Sequence, residues 1–223
     1  MSEESKSDPN LGREVAKYLE SLGINTPCFK SGLSKETKIL RIADSFRDIM
    51  HTLGLDLEDD SLMDSPERVA KMYVNEIFWG LDTDSFPKCT AIKNKMEYDE
   101  MVTIKDIKVM SNCEHHFVII DGKAHVSYIP KDKVLGLSKI NRIVNYFSKR
   151  PQVQERLTNQ IFHSLSYILG TEDVAVMIDA THYCVKARGV EDVSSHTVTS
   201  KLGGAFKSNS ATRAEFLSVC RKD

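Results

Sequence analysis

Residues 102–129 read VTIKDIKVMSNCEHHFVIIDGKAHVSYI, and it is here that the hydrophobic period changes from that of helices to that of strands. Val102, Ile104, Ile107 and Val109 alternate with polar residues apart from a one-residue slip at Lys105-Asp106, which predicts a strand with a bulge or bend. Residues 117–120, the turn pair Asp121-Gly122 and residues 123–129 then read as a β-hairpin. On this reading Cys113, Glu114, His115 and His116 occupy the junction leading into the hairpin.

Working outward, everything before this stretch is helical in pattern. Asp8-Pro9 forms an N-cap and first-turn pair for a helix with Leu11, Val15, Tyr18, Leu19 and Leu22 on one face, stopped at Gly23. Ser34 caps a second helix, whose stripe from Ile39 to Leu53 ends at Gly54. Ser65-Pro66 opens a third, with Val69, Ala70, Tyr73, Val74, Ile77 and Phe78 on its buried face. Residues 1–7 are polar and are expected to be disordered.

Beyond Pro130 the pattern turns helical again. Ile140, Ile143, Val144 and Phe147 form one stripe, Pro151 interrupts, and Leu157, Ile161, Leu165 and Ile168 form a longer one ending at Gly170. Residues 174–185 and 195–202 read as strands, and residues 211–221 as a last helix. Strands and helices do not alternate regularly, so the expected class is α+β with an antiparallel sheet, not a doubly wound fold. The division expected is a helical extension over 1–95 and an α+β domain over 96–223.

The composition is that of an ordinary soluble protein, with 41% hydrophobic and 28% charged residues in 223 and a net charge of −2. Near-neutrality argues against a general nucleic-acid binder, although basic side chains can still cluster around a phosphorylated small molecule. No apolar run approaches the ~20 residues that cross a bilayer. The first residues lack a signal-peptide pattern, so a cytoplasmic location is expected. The five cysteines have no framework spacing and are read as free thiols or metal ligands.

Cys113 and His116 have the C-x-x-H spacing by which a short turn presents sulfur and nitrogen to one zinc ion. Cys184, in Thr181-His182-Tyr183-Cys184, is the candidate third ligand. If that segment is a strand, His182 shares its face with Cys184. Such a Cys₂His set leaves the fourth position of a catalytic zinc to water, with His115 and His182 at hand to move protons. A buried cysteine is equally at home in a core, and adjacent histidines in a polar turn, so spacing alone leaves both readings standing. Arg68 with Lys71, Lys139 with Arg142, and Lys186 with Arg188 are basic pairs suited to a polyphosphate. No G-x-x-x-x-G-K-[ST] loop is present, so scattered side chains would have to hold it. Gln154 and Glu155 suit the edge of a guanine or, equally, the first turn of a helix.

The segments SLMDSPERVAKMYVNEIFWGL, SNCEHHFVIIDGKAHVSYIPKDKVLGLSKINRIV, RPQVQERLTNQI, THYCVKARG and TRAEFL closely resemble GTP cyclohydrolase I, particularly the bacterial type, over residues 57–217. The resemblance implies the tunnelling fold, ββααββ, assembled as a homodecamer of two pentameric rings with active sites between subunits. It implies conversion of GTP to 7,8-dihydroneopterin triphosphate and formate, the first committed step towards folate-type pterins. Matched motif by motif, Cys113, His116 and Cys184 fall on zinc ligands, and His115 and His182 on proton-transfer residues. Ser138 falls on a residue placed at the ribose, and Glu155 with Gln154 on the guanine-reading pair. Lys139, Arg142, Arg188, Arg68 and Lys71 fall on triphosphate contacts. The alternative is a non-catalytic zinc-containing scaffold that binds a pterin or nucleotide. A zinc nucleobase deaminase is disfavoured because its H-x-E and P-C-x-x-C signature is absent.

Overall fold

The computed structural model describes residues 6–221. Three helices come first: α1 (Pro9–Ser21), α2 (Lys35–Thr52) and α3 (Ser65–Met72), which runs on into a π-helical turn over Tyr73–Ile77. The caps explain the boundaries. Asp8 accepts from the Leu11 N–H and Ser34 from the Thr37 N–H, each satisfying a first-turn donor that the helix cannot. For α3 the cap position is Asp64 and Ser65 is already helical, one residue away from the expectation. Most of the tail expected to be disordered, residues 1–5, lies outside the described residues. Lys6 and Ser7, in contrast, are ordered along 87–88, through the Lys88 N–H to Lys6 carbonyl bond and a Ser7–Pro87 bridge.

The remainder contains β1 (Ala91–Lys93), β2 (Val102–Cys113), β3 (Ile119–Tyr128), β4 (Lys133–Leu135), α4 (Leu137–Ser148), β5 (Pro151–Gln152), α5 (Gln154–Leu169) and β6 (Val174–His182). A helical turn α6 (Tyr183–Lys186), β7 (Thr197–Leu202), α7 (Gly204–Ser208) and α8 (Ser210–Cys220) complete it. The main sheet has the order β5-β2-β3-β6-β7, antiparallel except for the short β2–β5 pair, while β1 and β4 form a separate two-stranded ribbon. Thus β2-β3-α4-α5-β6-β7 is the expected ββααββ order. The bulge expected at Lys105-Asp106 is present: register slips between Ile104 and Ile107, and Asp106 has a φ of 55°.

Two expectations are corrected. Asp121-Gly122 is no turn, for both residues lie inside β3, paired with Met110 and Val109 on one side and Thr181 and Ala180 on the other. Glycine is needed there because a Cβ at Gly122 would run into the Asp179 carbonyl of β6. The hairpin reverses instead at 114–118, so the Cys-Glu-His-His segment begins the hairpin turn itself. Likewise residues 174–185 are not all strand. β6 loses β7 after Ala180 and β3 after His182, and the unpartnered chain closes a helical turn with the Ala187 N–H bonded to the Tyr183 carbonyl at 2.9 Å.

α4 packs on β2, and α5 on β6 and β7, over a core that includes Val109, Ile120, Val126, Ile143, Ile161, Leu165 and Val176. Val15 and Leu19 of α1 and Phe86 belong to that same core. A smaller cluster joins Phe206, Phe216 and Cys220 to Ala175. Arg150, 4% exposed, ties residues 25–26 to this body. Its guanidinium donates to the carbonyl of Gly80 at 2.7 Å and to side chains of Asn25 and Thr26, and lies over the rings of Tyr146 and Phe147.

Candidate metal centre and active site

The hairpin turn is closed twice: the Cys113 N–H donates to the Val118 carbonyl at 2.8 Å and the Phe117 N–H to the Cys113 carbonyl at 2.9 Å. Phe117 takes a left-handed φ of 56°, costly for a bulky side chain. Its ring packs against Phe78 and Tyr73, the end of the α3 segment, with centroids 5.4 and 6.4 Å away. From the other side β5 grips the turn, pairing Gln152 with Cys113 and accepting the Glu114 N–H at the Gln152 carbonyl, 3.0 Å away.

This arrangement brings ligand atoms of Cys113, His116 and Cys184 within 4.8 Å of one another. Cys113 is buried and Cys184 partly buried on α6, so Cys184 reaches the group from a helical turn and not by strand alternation. Burial and the neighbouring Cys113 push the Cys184 thiol above its ordinary pKa. His115 is exposed, with Nδ1 3.7 Å from the Cys113 sulfur. Arg188 Nη1 lies 3.0 Å from His116 Nε2, and a guanidinium can only donate, so that nitrogen presents a lone pair. Two thiols and an imidazole converging in this way can hold a metal ion.

His182 ends β6, two residues before Cys184. Its Nε2 is 2.7 Å from the Gln154 Oε1, and burial lowers its pKa, opposed by the charge of Glu155. Gln154 is buried, whereas Glu155 is exposed in the first turn of α5. The basic candidates are more dispersed. Arg68 and Lys71 are exposed and paired within their own helix, to Asp64 at 3.1 Å and Glu67 at 2.8 Å. Ser138 and Arg142 are exposed on α4 with Lys139 between them in the chain. Among the described residues no hydrogen bond or ion pair joins these five to the cysteine–histidine group.

A residue without an assigned role in the sequence proves to be part of the scaffold. Glu114 receives both arms of the Arg156 guanidinium, at 2.5 and 3.2 Å, fastening the metal turn to the first turns of α5. That bond holds the Glu114 carboxyl below its ordinary pKa. The only signal was adjacency, Glu114 beside Cys113 and Arg156 beside Glu155; their pairing spans 42 residues.

A model of the GTP cyclohydrolase I family matches residues 42–221. A GTP cyclohydrolase 1 of Tolumonas auensis is 61% identical over 204 residues, covering 92% of this chain and 94% of that protein. One from Yersinia pseudotuberculosis is 60% identical over 207 residues, covering 93% and 94%. One from Aeromonas hydrophila is 58% identical over 216 residues, covering 96% and 99%. Among solved structures, an archaeosine synthase QueF-like protein in its apo form is similar over 47% of this chain and 94% of its own, with a TM-score of 0.39 and 17% identity. With a family match spanning most of its length, over the residues that build the cysteine–histidine group, this chain belongs to the GTP cyclohydrolase I family.

Proposed function

We propose that this protein converts GTP to 7,8-dihydroneopterin triphosphate and formate, with zinc held by Cys113, His116 and Cys184. The observation that carries the reading is the convergence of those three donor atoms within 4.8 Å, with His115 Nδ1 3.7 Å from the Cys113 sulfur and His182 two residues before Cys184. Two thiolates and one imidazole suit zinc better than harder cations, which prefer oxygen. When bound, zinc supplies a Lewis acid that lowers the pKa of a coordinated water to about 7.

The chain's own residues supply the rest. His182, partly buried and held by Gln154, and His115, exposed at the turn, move protons to and from the purine as its five-membered ring opens and C8 departs as formate. Glu155, exposed where α5 begins, accepts from the N1–H and 2-amino group of guanine. Ser138 attends the ribose. Lys139, Arg142 and Arg188 hold the triphosphate, Arg by paired hydrogen bonds and Lys as a point charge. Arg68 and Lys71 join them by exchanging their exposed carboxylate partners for phosphate.

We further propose that residues 96–223 form the catalytic unit and 1–95 an extension to it, and that the working form is a cytoplasmic homodecamer with active sites between subunits. Open sheet edges support self-association: among the described residues β7 is paired only with β6, and β2 is paired on one side alone before Asn112. Leu40 and Ile49 of α2 and Leu53 at its C-terminal cap are also exposed. No helix among the described residues is long and apolar enough to cross a membrane. The deciding experiment incubates zinc-loaded protein with GTP and follows formate, together with pterin fluorescence after oxidation. Both products should appear in equal amounts. Zinc and GTP binding without either product would instead identify the inert scaffold.

A further inference from the structure

The two ends of the Gln154 carboxamide are told apart by the backbone around them. Its nitrogen lies 3.0 Å from the Ile178 carbonyl oxygen and 2.8 Å from the Thr197 carbonyl oxygen. A carbonyl can only accept, so the NH₂ end must face this pair; turning the amide over would aim its oxygen at two others. The residue is 1% exposed, and such a repulsion would have little solvent to relieve it.

The threonines nearby agree. Thr158 Oγ1 donates its one hydrogen to the Gln154 backbone carbonyl at 2.8 Å. Thr199 must therefore be the donor in the 2.7 Å Thr158–Thr199 contact, so that a Thr199 lone pair also faces the Gln154 nitrogen 3.1 Å away. No hydrogen in the network is turned towards another. Oε1 carries no hydrogen and lies 2.7 Å from His182 Nε2, so it is the ring nitrogen that donates.

We propose that Gln154 is a positioning residue that fixes the tautomer of His182, keeping the proton on Nε2 and leaving Nδ1 as the nitrogen that takes up and returns protons. The role of His182 in turnover rests on the function proposed above, whereas the tautomer stands on the hydrogen-bond geometry alone. Both amide hydrogens of Gln154 are committed to backbone carbonyls, so the side chain has none to offer a guanine. Glu155 is left as the residue that reads the base.

The direct test is magic-angle-spinning NMR of the zinc-loaded protein carrying ¹⁵N-histidine, with the His182 ring signals identified by their loss in His182→Ala. A protonated Nε2 and an unprotonated Nδ1 in the neutral ring are expected, and the reverse assignment overturns the proposal. Because no turnover is needed, that result is independent of whether the protein acts on GTP. The kinetic test is Gln154→Met, which keeps the volume and removes the acceptor. A fall in kcat on the order of 10²-fold is expected, with KM for GTP within about twofold. Unchanged kcat with a raised KM would return Gln154 to base recognition and overturn the positioning role.

Discussion

The residues of the proposed site fall in two regions built on different principles. Around the sheet, Cys113, Glu114, Gln154 and His182 are held by partners far away in sequence: Glu114 by Arg156, Gln154 by the Ile178 and Thr197 carbonyls, and Cys113 by the edge of β5. On α3 and α4, Arg68, Lys71, Ser138 and Arg142 stand exposed, the first two paired only within one helix. The difference teaches where preorganisation is needed. The proton transfer and metal ligation proposed for the first group would depend on small changes of distance, and those side chains are over-determined by packing. Charge attraction to a triphosphate falls off slowly with distance, and its groups can wait in solvent for a substrate or a neighbouring subunit.

Breaking the rigid region should have the largest effect. Cys184→Ser removes one of three donors, so bound zinc should fall from about one per chain to near none, with loss of measurable turnover. Metal analysis of the dialysed protein checks this, and full activity without metal would refute the assigned centre. His182→Ala should separate ligation from chemistry: zinc content stays, and kcat falls by about 10²–10⁴-fold. If zinc is lost as well, His182 belongs among the ligands.

Breaking the exposed region should show itself in binding. Removing a charge-assisted hydrogen bond, worth about 1.5–3 kcal/mol, from a phosphate should raise KM roughly 10–100-fold in Arg142→Ala, with kcat little changed. Steady-state kinetics at two ionic strengths would measure this, and added salt should weaken the wild type more than the variant. If α4 serves a neighbouring subunit's metal centre, co-expression with Cys184→Ser should recover turnover at low GTP. Mixed oligomers then contain some sites that carry neither change. No recovery would place both residues in one subunit's site.

The same contrast governs what could be read from the sequence. Helix ends were legible because their causes are local: Asp8 and Ser34 bond within their own first turns, and Gly170 takes the left-handed φ of 69° that closes α5. The bulge was legible as a slip in alternation. Asp121-Gly122 misled because it has the chemistry of a turn, while its actual reason, the close approach of the Asp179 carbonyl, comes from a strand almost sixty residues on. Cys184 was legible as a member of the cysteine–histidine group although its local structure was not, because β6 stops where its partners stop, and partners are not local. The cysteine–histidine group was legible as residue types at spacing. The Glu114–Arg156 bond and the Gln154 network, which orient it, were not, since each joins segments with no pattern in common.

The smallest effect probes what the rigid sheet demands of one side chain. His125, 5% exposed, sits on β3 opposite the β2 bulge, where its Nδ1 accepts the Asp106 N–H at 3.4 Å and so needs a lone pair. Burial pushes its pKa below the ordinary value. Asp106 on the bulge and Asp179 on β6 oppose this, and Lys105 on the bulge and Lys123 on its own strand reinforce it. Above the unfolded value of about 6.5, the ring is neutral in both states and contributes no pH dependence. As pH falls through about 6.5 the unfolded chain takes the proton first, so stability declines until the lower folded pKa is passed, and then levels off. Thermal unfolding between about pH 5 and 8 should show this decline in the wild type and a shallower one in His125→Asn. For a chain of this size each kcal/mol moves Tm by about 2–4 °C. An unaltered slope in the variant would assign the acid sensitivity to His163 on α5 or His182, bonded to Gln154 of α5, whose pKa values burial also lowers. In that event the acid-labile contact lies between helix and sheet and not within the β2–β3 pair that carries the Cys113–His116 turn.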